Sequence, residues 1–190
     1  MTRAAGASLR AYGLALACLA CLALASCSKP DIRAFVQDLS SPNVLVRQQA
    51  VAALALAGDT AAVPHLMVLL DDPVADVRQG TAKALGTLHD MRATEAVVQR
   101  LARENDAAVR LALIEALGKL RDTKAVPDLL RRLEANDFPV TERYTLIWAL
   151  GNIGDPRSAE PLGKLLSDSD QFVAYNATQA LKKLRSRAGQ

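Results

Sequence analysis

The chain has 190 residues, a formal net charge of +3 and a hydrophobic fraction of 51%. This length suggests one domain or at most two, and the small net charge gives no reason to expect a strongly charged partner such as nucleic acid. Ala and Leu dominate, while aromatic residues make up only 4% of the chain. That composition favours helix.

The first 26 residues have the pattern of a secretory signal peptide. Arg3 and Arg10 precede an uninterrupted run of apolar and small residues over 11–25, with no acidic residue in the segment. A charged start followed by an apolar run is typical of such signals. The run is short for a transmembrane helix, which needs about 20 residues. We therefore predict that residues 1–26 are a signal peptide.

The apolar run ends in "LASC", Leu24 to Cys27. This stretch resembles the lipobox of bacterial lipoproteins, whose Cys takes a diacylglycerol before cleavage. The resemblance implies lipidation of Cys27, with 27–29 as the attachment and a short tether in the bacterial cell envelope. Ser28 follows the Cys, and by resemblance to enterobacterial sorting this implies the outer membrane, facing the periplasm. The alternative is an ordinary signal peptide in which Cys27 is incidental.

Cleavage before Cys27 would remove the other two cysteines, Cys18 and Cys21. The mature chain would then hold one lipidated Cys and no internal disulfide, so its fold must depend on its hydrophobic core.

The rest of the chain is periodic, with a repeat of 31 to 33 residues. Four copies align as "VRQQAVAALALAGD" (46–59), "VRQGTAKALGTLHD" (77–90), "VRLALIEALGKLRD" (109–122) and "ERYTLIWALGNIGD" (142–155). Each copy has a Leu seven residues and an Asp twelve residues after its Arg: Leu54, Leu85, Leu117 and Leu150, then Asp59, Asp90, Asp122 and Asp155. A fifth copy begins at 173 but has Ala174 in place of the Arg.

Shorter apolar segments such as "AVPDLLRRLE" lie between these copies, and turn-forming stretches such as "DDP" and "SDSD" separate the two kinds. Each unit is therefore predicted to be a short helix, a tight turn and a longer helix. We predict an all-α fold, an α-solenoid of about five helical hairpins over residues 30–187.

The shared pattern "P..L..LL.D....VR..A..ALG" resembles the HEAT family, most closely its short bilin-lyase-like subtype. In HEAT proteins the turn Asp and the following Arg form a ladder between adjacent units. The resemblance implies a structural rather than a binding role for these residues. The ladder would contain Arg47, Asp72, Arg78, Arg110, Asp137 and Arg143, with Glu104 and Asn105 as a weaker match before Arg110.

The long helix of each unit has one apolar stripe and one opposite face. Counted from the Arg, apolar residues recur at −1, 3, 6, 7 and 10, which predicts a core stripe that contains the four repeated leucines, whereas positions 1, 5 and 9 point away from it. By the HEAT resemblance this opposite face lines the concave surface. It is mostly polar, but units three to five carry Leu111, Tyr144, Trp148 and Tyr175 there.

We predict that these four residues form a partner-binding patch, with Glu115 and Lys119 as its polar rim. The alternative is that aromatic residues such as Trp148 lean between neighbouring helices and serve packing alone.

Signals for catalysis or metal binding are missing from the sequence. Some HEAT-like enzymes bind iron through repeated His-Glu pairs, but His65 and His89 have no such neighbour. Gly86, Gly118 and Gly151 are predicted to allow close helix packing rather than to bind phosphate. We predict no catalytic residue, no metal site and no cofactor.

The function predicted from these features is that of a non-enzymatic, lipid-anchored HEAT-repeat scaffold, which binds a protein or peptide on its concave face. Nucleic acid is not expected as a partner. The basic cluster "KKLRSR" at 182–187 is predicted to be a solvated helix end, with contact to anionic lipid or nucleic acid as the alternative. The alternative function is an enzyme or enzyme-accessory subunit related to bilin-lyase-type HEAT proteins.

Overall fold

Short and long helices alternate in the computed structural model, which describes residues 31–135 and 137–188. The long helices are α2 (Val44–Ala57), α4 (Ala75–Leu88), α6 (Ala107–Leu120), α8 (Val140–Ile153) and α10 (Gln171–Ala188). The short helices are α1 (Arg33–Asp38), α3 (Val63–Val68), α5 (Thr94–Arg103), α7 (Val126–Ala135) and α9 (Ala159–Lys164). No strand occurs within the described ranges, so the predicted all-α class is confirmed.

The predicted signal peptide, 1–26, and the tether with Cys27, 27–29, lie outside the described residues. Among the helices that the structure does describe, none combines the length and the apolar character needed to span a membrane.

The helices are arranged as five stacked hairpins. Each short helix packs against the long helix that follows it, and each long helix packs against the long helix of the next unit. Because the main contacts of every unit are with its neighbours, the result is the predicted α-solenoid. The long helices form one continuous layer, so residues on equivalent positions of adjacent units lie side by side.

The repeating Leu of each unit lies in the centre of this stack. Leu54, Leu85, Leu117 and Leu150 are completely buried, which confirms their prediction as core residues. They belong to one hydrophobic cluster that runs from Leu39 to Leu184.

The repeating Asp of each unit starts the next hairpin. The side chain of Asp59 accepts a hydrogen bond from the backbone N–H of Ala61 at 3.0 Å, and so holds the 3₁₀ turn that leads into α3. Side-chain oxygens satisfy backbone donors at a helix start that would otherwise have no partner. Asp90, Asp122 and Asp155 make the equivalent bond in the following units.

Three glycines let the long helices approach each other closely. A Cβ placed on Gly118 would lie 2.9 Å from the Cα of Ala149 in α8. At Gly151 the corresponding distance to the Cα of Ala180 is 2.8 Å. A Cβ placed on Gly86 would lie 2.9 Å from the Cα of Ala116. The prediction that these glycines serve close helix packing is therefore confirmed.

Candidate functional site

A ladder of ion pairs joins each unit to the next along one edge of the long-helix layer. Arg47 donates two hydrogen bonds to the carboxylate of Asp72 in the following unit, at 2.7 and 3.0 Å. Paired N–H donors facing a carboxylate give strong, directional contacts. The remaining pairs are Arg78–Glu104 at 2.8 Å, Arg110–Glu142 at 3.0 Å and Arg143–Asp168 at 2.6 Å.

The first three arginines also bind the loop that precedes their own helix. Arg47 donates to the backbone carbonyl of Ser41 at 2.8 Å, and Arg110 donates to that of Asn105, also at 2.8 Å. Arg78 does the same to Asp72 at 2.9 Å. These guanidinium groups are held on both sides by the protein itself, which agrees with a structural role.

The ladder in unit four runs through Glu142, which corrects the predicted role of Asp137. Asp137 is exposed in the loop before α8, whereas Glu142 lies in the first turn of α8 and is only 2% exposed. Glu142 accepts hydrogen bonds from both Arg110 and Arg132. Because α8 begins only at Val140, its first-turn carboxylate, rather than the loop Asp, reaches the arginine of the preceding unit.

Glu104 is the corresponding carboxylate of unit three. Burial by itself raises the pKa of its carboxyl group, but hydrogen bonds from Arg78, from the backbone N–H of Asp106 and from Arg100 outweigh burial. Together they lower the pKa of Glu104 from 4.5 to about 2. The folded chain therefore holds this carboxylate in its charged form more strongly than the unfolded chain does.

The stability of the fold should depend on pH through Glu104. Since its pKa is lower in the folded state, its contribution is complete above the unfolded pKa of 4.5 and is lost as the pH falls toward about 2. The contribution lost over this interval should be about 3 kcal/mol. Urea unfolding at several pH values between 7 and 2 would measure it, with Glu104→Gln as the comparison. If the variant shows the same pH slope as the wild type, Glu104 is not responsible.

Helices α6, α8 and α10 form an open groove of about 390 Å³ on the long-helix layer. Four of the six residues predicted for partner binding line it: Glu115, Lys119, Tyr144 and Trp148. Thr145 and Asn176 complete the lining. Side chains from one face of three adjacent units thus meet in one groove.

Trp148 is half-buried and packs between two units. Its Cζ3 atom lies 2.6 Å from the position that a Cβ on Gly118 would occupy, so the indole rests on the bare backbone of α6. Tryptophan at this position contacts the hydrophobic core and also lines the groove. Both sequence interpretations of Trp148, packing between helices and lining a binding surface, therefore describe part of its environment.

Tyr144 is held in place by the start of α10. Its hydroxyl donates to Asp170 at 2.9 Å, and its ring meets the edge of Phe172 with ring centres 6.4 Å apart. Burial, together with the hydrogen bond to Asp170, raises the pKa of the Tyr144 hydroxyl. Tyr144 is therefore a neutral donor with a fixed ring orientation.

The other two predicted patch residues lie outside the groove lining. Leu111 is half-buried on α6, and Tyr175 on α10 is 61% exposed. Phe172, one turn before Tyr175 and Asn176, is 69% exposed. We refer to Tyr144, Trp148, Phe172 and Tyr175 as the aromatic patch.

A family model described as HEAT repeats matches residues 15–86, 32–104, 68–143 and 135–189. These matches cover most of the chain. The chain is a HEAT-repeat protein. No match was found among the curated proteins that were searched.

Several solved structures resemble this HEAT-repeat protein. The complex of CpcE and CpcF of phycocyanin lyase from Nostoc sp. PCC7120 matches with a TM-score of 0.71 and 24% identity, over 84% of this chain and 66% of that chain. This chain therefore spans slightly less than two thirds of the lyase chain.

Two further structures match at 18% identity. A designed armadillo repeat protein in complex with the peptide (KR)4 has a TM-score of 0.61, over 79% of this chain and 80% of that chain. The archaeal HEAT-like repeats protein from Thermococcus onnurineus NA1 has a TM-score of 0.59, over 98% and 82%. At these identities the likenesses establish the fold alone.

Positions 1, 5 and 9 of each long helix do not include three residues of the groove and the aromatic patch of this HEAT-repeat protein. These residues are Thr145, Asn176 and Phe172. Thr145 and Asn176 occupy position 2, and Phe172 occupies position −2, counted from the Arg or from Ala174. At 100° per residue, position 2 points about 20° beyond position 9, while position −2 points between positions 5 and 9 but one turn earlier in the helix. A wider sector on the helical wheel would have found Thr145 and Asn176, and extending the count to the helix start would have found Phe172.

Proposed function

We propose that this HEAT-repeat protein is a non-enzymatic scaffold that binds a protein or peptide across the groove of α6, α8 and α10. The observation that carries the proposal is the aromatic patch, two of whose members are 61% and 69% exposed in a chain with so few aromatic residues. Exposed aromatic side chains dominate binding energy when a partner covers them. They contribute little to folding when left in water, so their presence at one place supports a binding role.

The polar groups of the groove suit a peptide chain. Thr145 donates its hydroxyl proton to the backbone carbonyl of Thr141, and Asn176 donates through Nδ2 to the carbonyl of Phe172. The oxygens of both side chains can still accept hydrogen bonds from backbone N–H groups. The arrangement supports recognition of an extended segment, with the Thr145 hydroxyl engaged by the backbone rather than activated for catalysis.

Tyr175→Ala is the sharpest test of this binding role. Because Tyr175 is mostly exposed, its loss should change the free energy of unfolding by no more than about 0.5 kcal/mol. Capture of a partner from solubilised cell envelopes should fall about tenfold or more, with the loss measured by quantitative mass spectrometry.

Leu56→Ala is the matched control, since Leu56 is 88% exposed on α2, three units away from the aromatic patch. It should leave capture unchanged. Capture that survives Tyr175→Ala, or that falls equally in both variants, would rule out the aromatic patch as the binding surface.

We further propose that the scaffold is anchored through lipid on Cys27 in the bacterial cell envelope, at the outer membrane and facing the periplasm. The support is "LASC" at Leu24–Cys27 after an apolar run, with Ser28 next. Cys27→Ala should abolish lipid attachment, seen as a loss of acyl mass on the mature N-terminus and release from the membrane fraction. A Cys27→Ala protein with the wild-type mature mass would contradict the anchor.

A role as an enzyme or enzyme-accessory subunit is the second candidate. It is favoured by the structural likeness to the phycocyanin lyase complex, although 24% identity supports the shared fold rather than the activity. The two candidates differ in where the protein works. A cytoplasmic chain that keeps residues 1–26, found by fractionation and mass measurement, would favour the lyase-like role over the anchored scaffold.

A further inference from the structure

One carboxylate in the groove has no partner among the residues that the structure describes. Glu115 lies half-buried on α6, at the position equivalent to Trp148 in the next unit, and lines the groove with Trp148 and Tyr144. The neighbouring lysine, Lys119, is four residues further along the same helix but forms no ion pair with it. Instead the stem of Lys119 passes over Gly86 of α4. The Cδ of Lys119 lies 3.3 Å from the position that a Cβ on Gly86 would occupy.

Helix electrostatics accounts for the lysine but not for the glutamate. Lys119 lies in the last turn of α6, where a positive charge stabilises the carbonyl end of the helix. Glu115 lies in the second half of the same helix, where a negative charge has no such benefit. An ion pair within α6 would compensate, but none is formed, so neither an ion pair among the described residues nor the helix end accounts for the charge of Glu115.

The overall charge of the folded region gives no preference for either sign of partner. Arg3, Arg10 and Lys29 account for the whole formal charge of +3, so residues 31–190 are formally neutral. Specificity must therefore come from local groups. The groove lining contains two charged side chains, Glu115 and Lys119. The stem of Lys119 lies against Gly86 of α4 and its charge is favoured by the C-terminal end of α6, so the carboxylate of Glu115 is the charge left without a compensating group.

We propose that the groove binds a cationic side chain, Lys or Arg, of a basic peptide segment, with Glu115 as its counter-ion and the rings of Trp148 and Tyr144 as its walls. The inference rests on the proposed binding function and specifies its partner. A cation over an aromatic face is attracted by the ring, and Trp gives the strongest such contact. The packing of Trp148 on Gly118 and the bond from Tyr144 to Asp170 hold both rings before the ligand arrives.

The test uses the full chain and three fluorescein-labelled octapeptides made of arginine, glutamate or serine. Binding is followed by anisotropy of the peptide and, with unlabelled peptide, by the fluorescence of Trp148, the single Trp of the chain. Octaarginine should bind and change the Trp148 emission, while octaserine and octaglutamate should bind at least about tenfold more weakly. Glu115→Gln should weaken octaarginine binding about tenfold.

Asp137→Asn is the matched control, because it removes one exposed acidic charge outside the groove. It should change octaarginine affinity less than about twofold, which separates local recognition from general charge attraction. Equal affinities for wild type and Glu115→Gln would overturn the proposal. Preferential binding of octaglutamate, lost in Lys119→Gln, would overturn it in favour of an acidic partner.

The inference and the proposed function fail in different ways. If octaarginine binding is insensitive to Glu115→Gln while envelope capture still depends on Tyr175, the binding function stands and the cationic specificity is wrong. If capture is also insensitive to Tyr175→Ala, both are wrong.

Discussion

Replacing Glu142 with Ala is expected to lower the free energy of unfolding by about 3–5 kcal/mol. The carboxylate is 2% exposed and is the ion-pair partner of two arginines, Arg110 from the preceding unit and Arg132 from its own short helix. Its removal would leave two partly buried positive charges close together without a counter-ion. Breaking a buried pair in this way costs more than the pair itself contributes. Urea unfolding of both proteins would measure the difference.

Asp137→Ala is the control for Glu142, because Asp137 is the residue that the family pattern suggests at this step of the ladder. Since Asp137 is exposed, its loss should change the free energy of unfolding by no more than about 0.5 kcal/mol. A larger cost at Asp137 than at Glu142 would mean that the ladder follows the family pattern and not the contacts described above.

Leu117→Ala should also cost about 2–5 kcal/mol, since Leu117 is completely buried in the central unit. Deleting its side chain leaves a cavity in the core, and the surrounding side chains can fill this cavity only in part. Leu181, at the same repeat position in the last unit, is only partly buried. Leu181→Ala should therefore cost clearly less.

The comparison of the two leucines tests the solenoid directly. Each unit of a solenoid is stabilised by its neighbours, so a central position is supported from two sides and a terminal one from one side. Equal losses at Leu117 and Leu181 in urea unfolding would argue against this arrangement.

Local, repeated features could be predicted from the sequence alone. The four repeated leucines are core residues because an apolar residue at a fixed place on an amphipathic helix must face the neighbouring helix. They are Leu54, Leu85, Leu117 and Leu150. Gly86, Gly118 and Gly151 occur where only a missing Cβ permits the observed helix spacing. The all-α solenoid follows from these repeats, because each depends only on a unit and its neighbour.

The acid that meets Arg110 could not be identified from the family pattern. Glu104 and Glu142 hold the places that Asp72 and Asp168 hold in their own units. A carboxylate can reach the arginine from the loop or from the first helical turn. The choice depends on where the helix begins, and sequence patterns define such boundaries only to within a few residues.

The environment of Trp148 likewise required the structure. Helical periodicity placed Trp148 opposite the core stripe. It could not show that Gly118 on the neighbouring helix, which has no side chain, leaves space for the indole to pack against the backbone of α6. Phe172 enters the aromatic patch through its contact with Tyr144, at a helix start that the wheel analysis did not consider. Helical periodicity alone identified the helix face that carries Tyr144, Trp148 and Tyr175. The degree of their burial was decided only by the packing of adjacent units, because burial depends on the atoms that a neighbour does or does not place there.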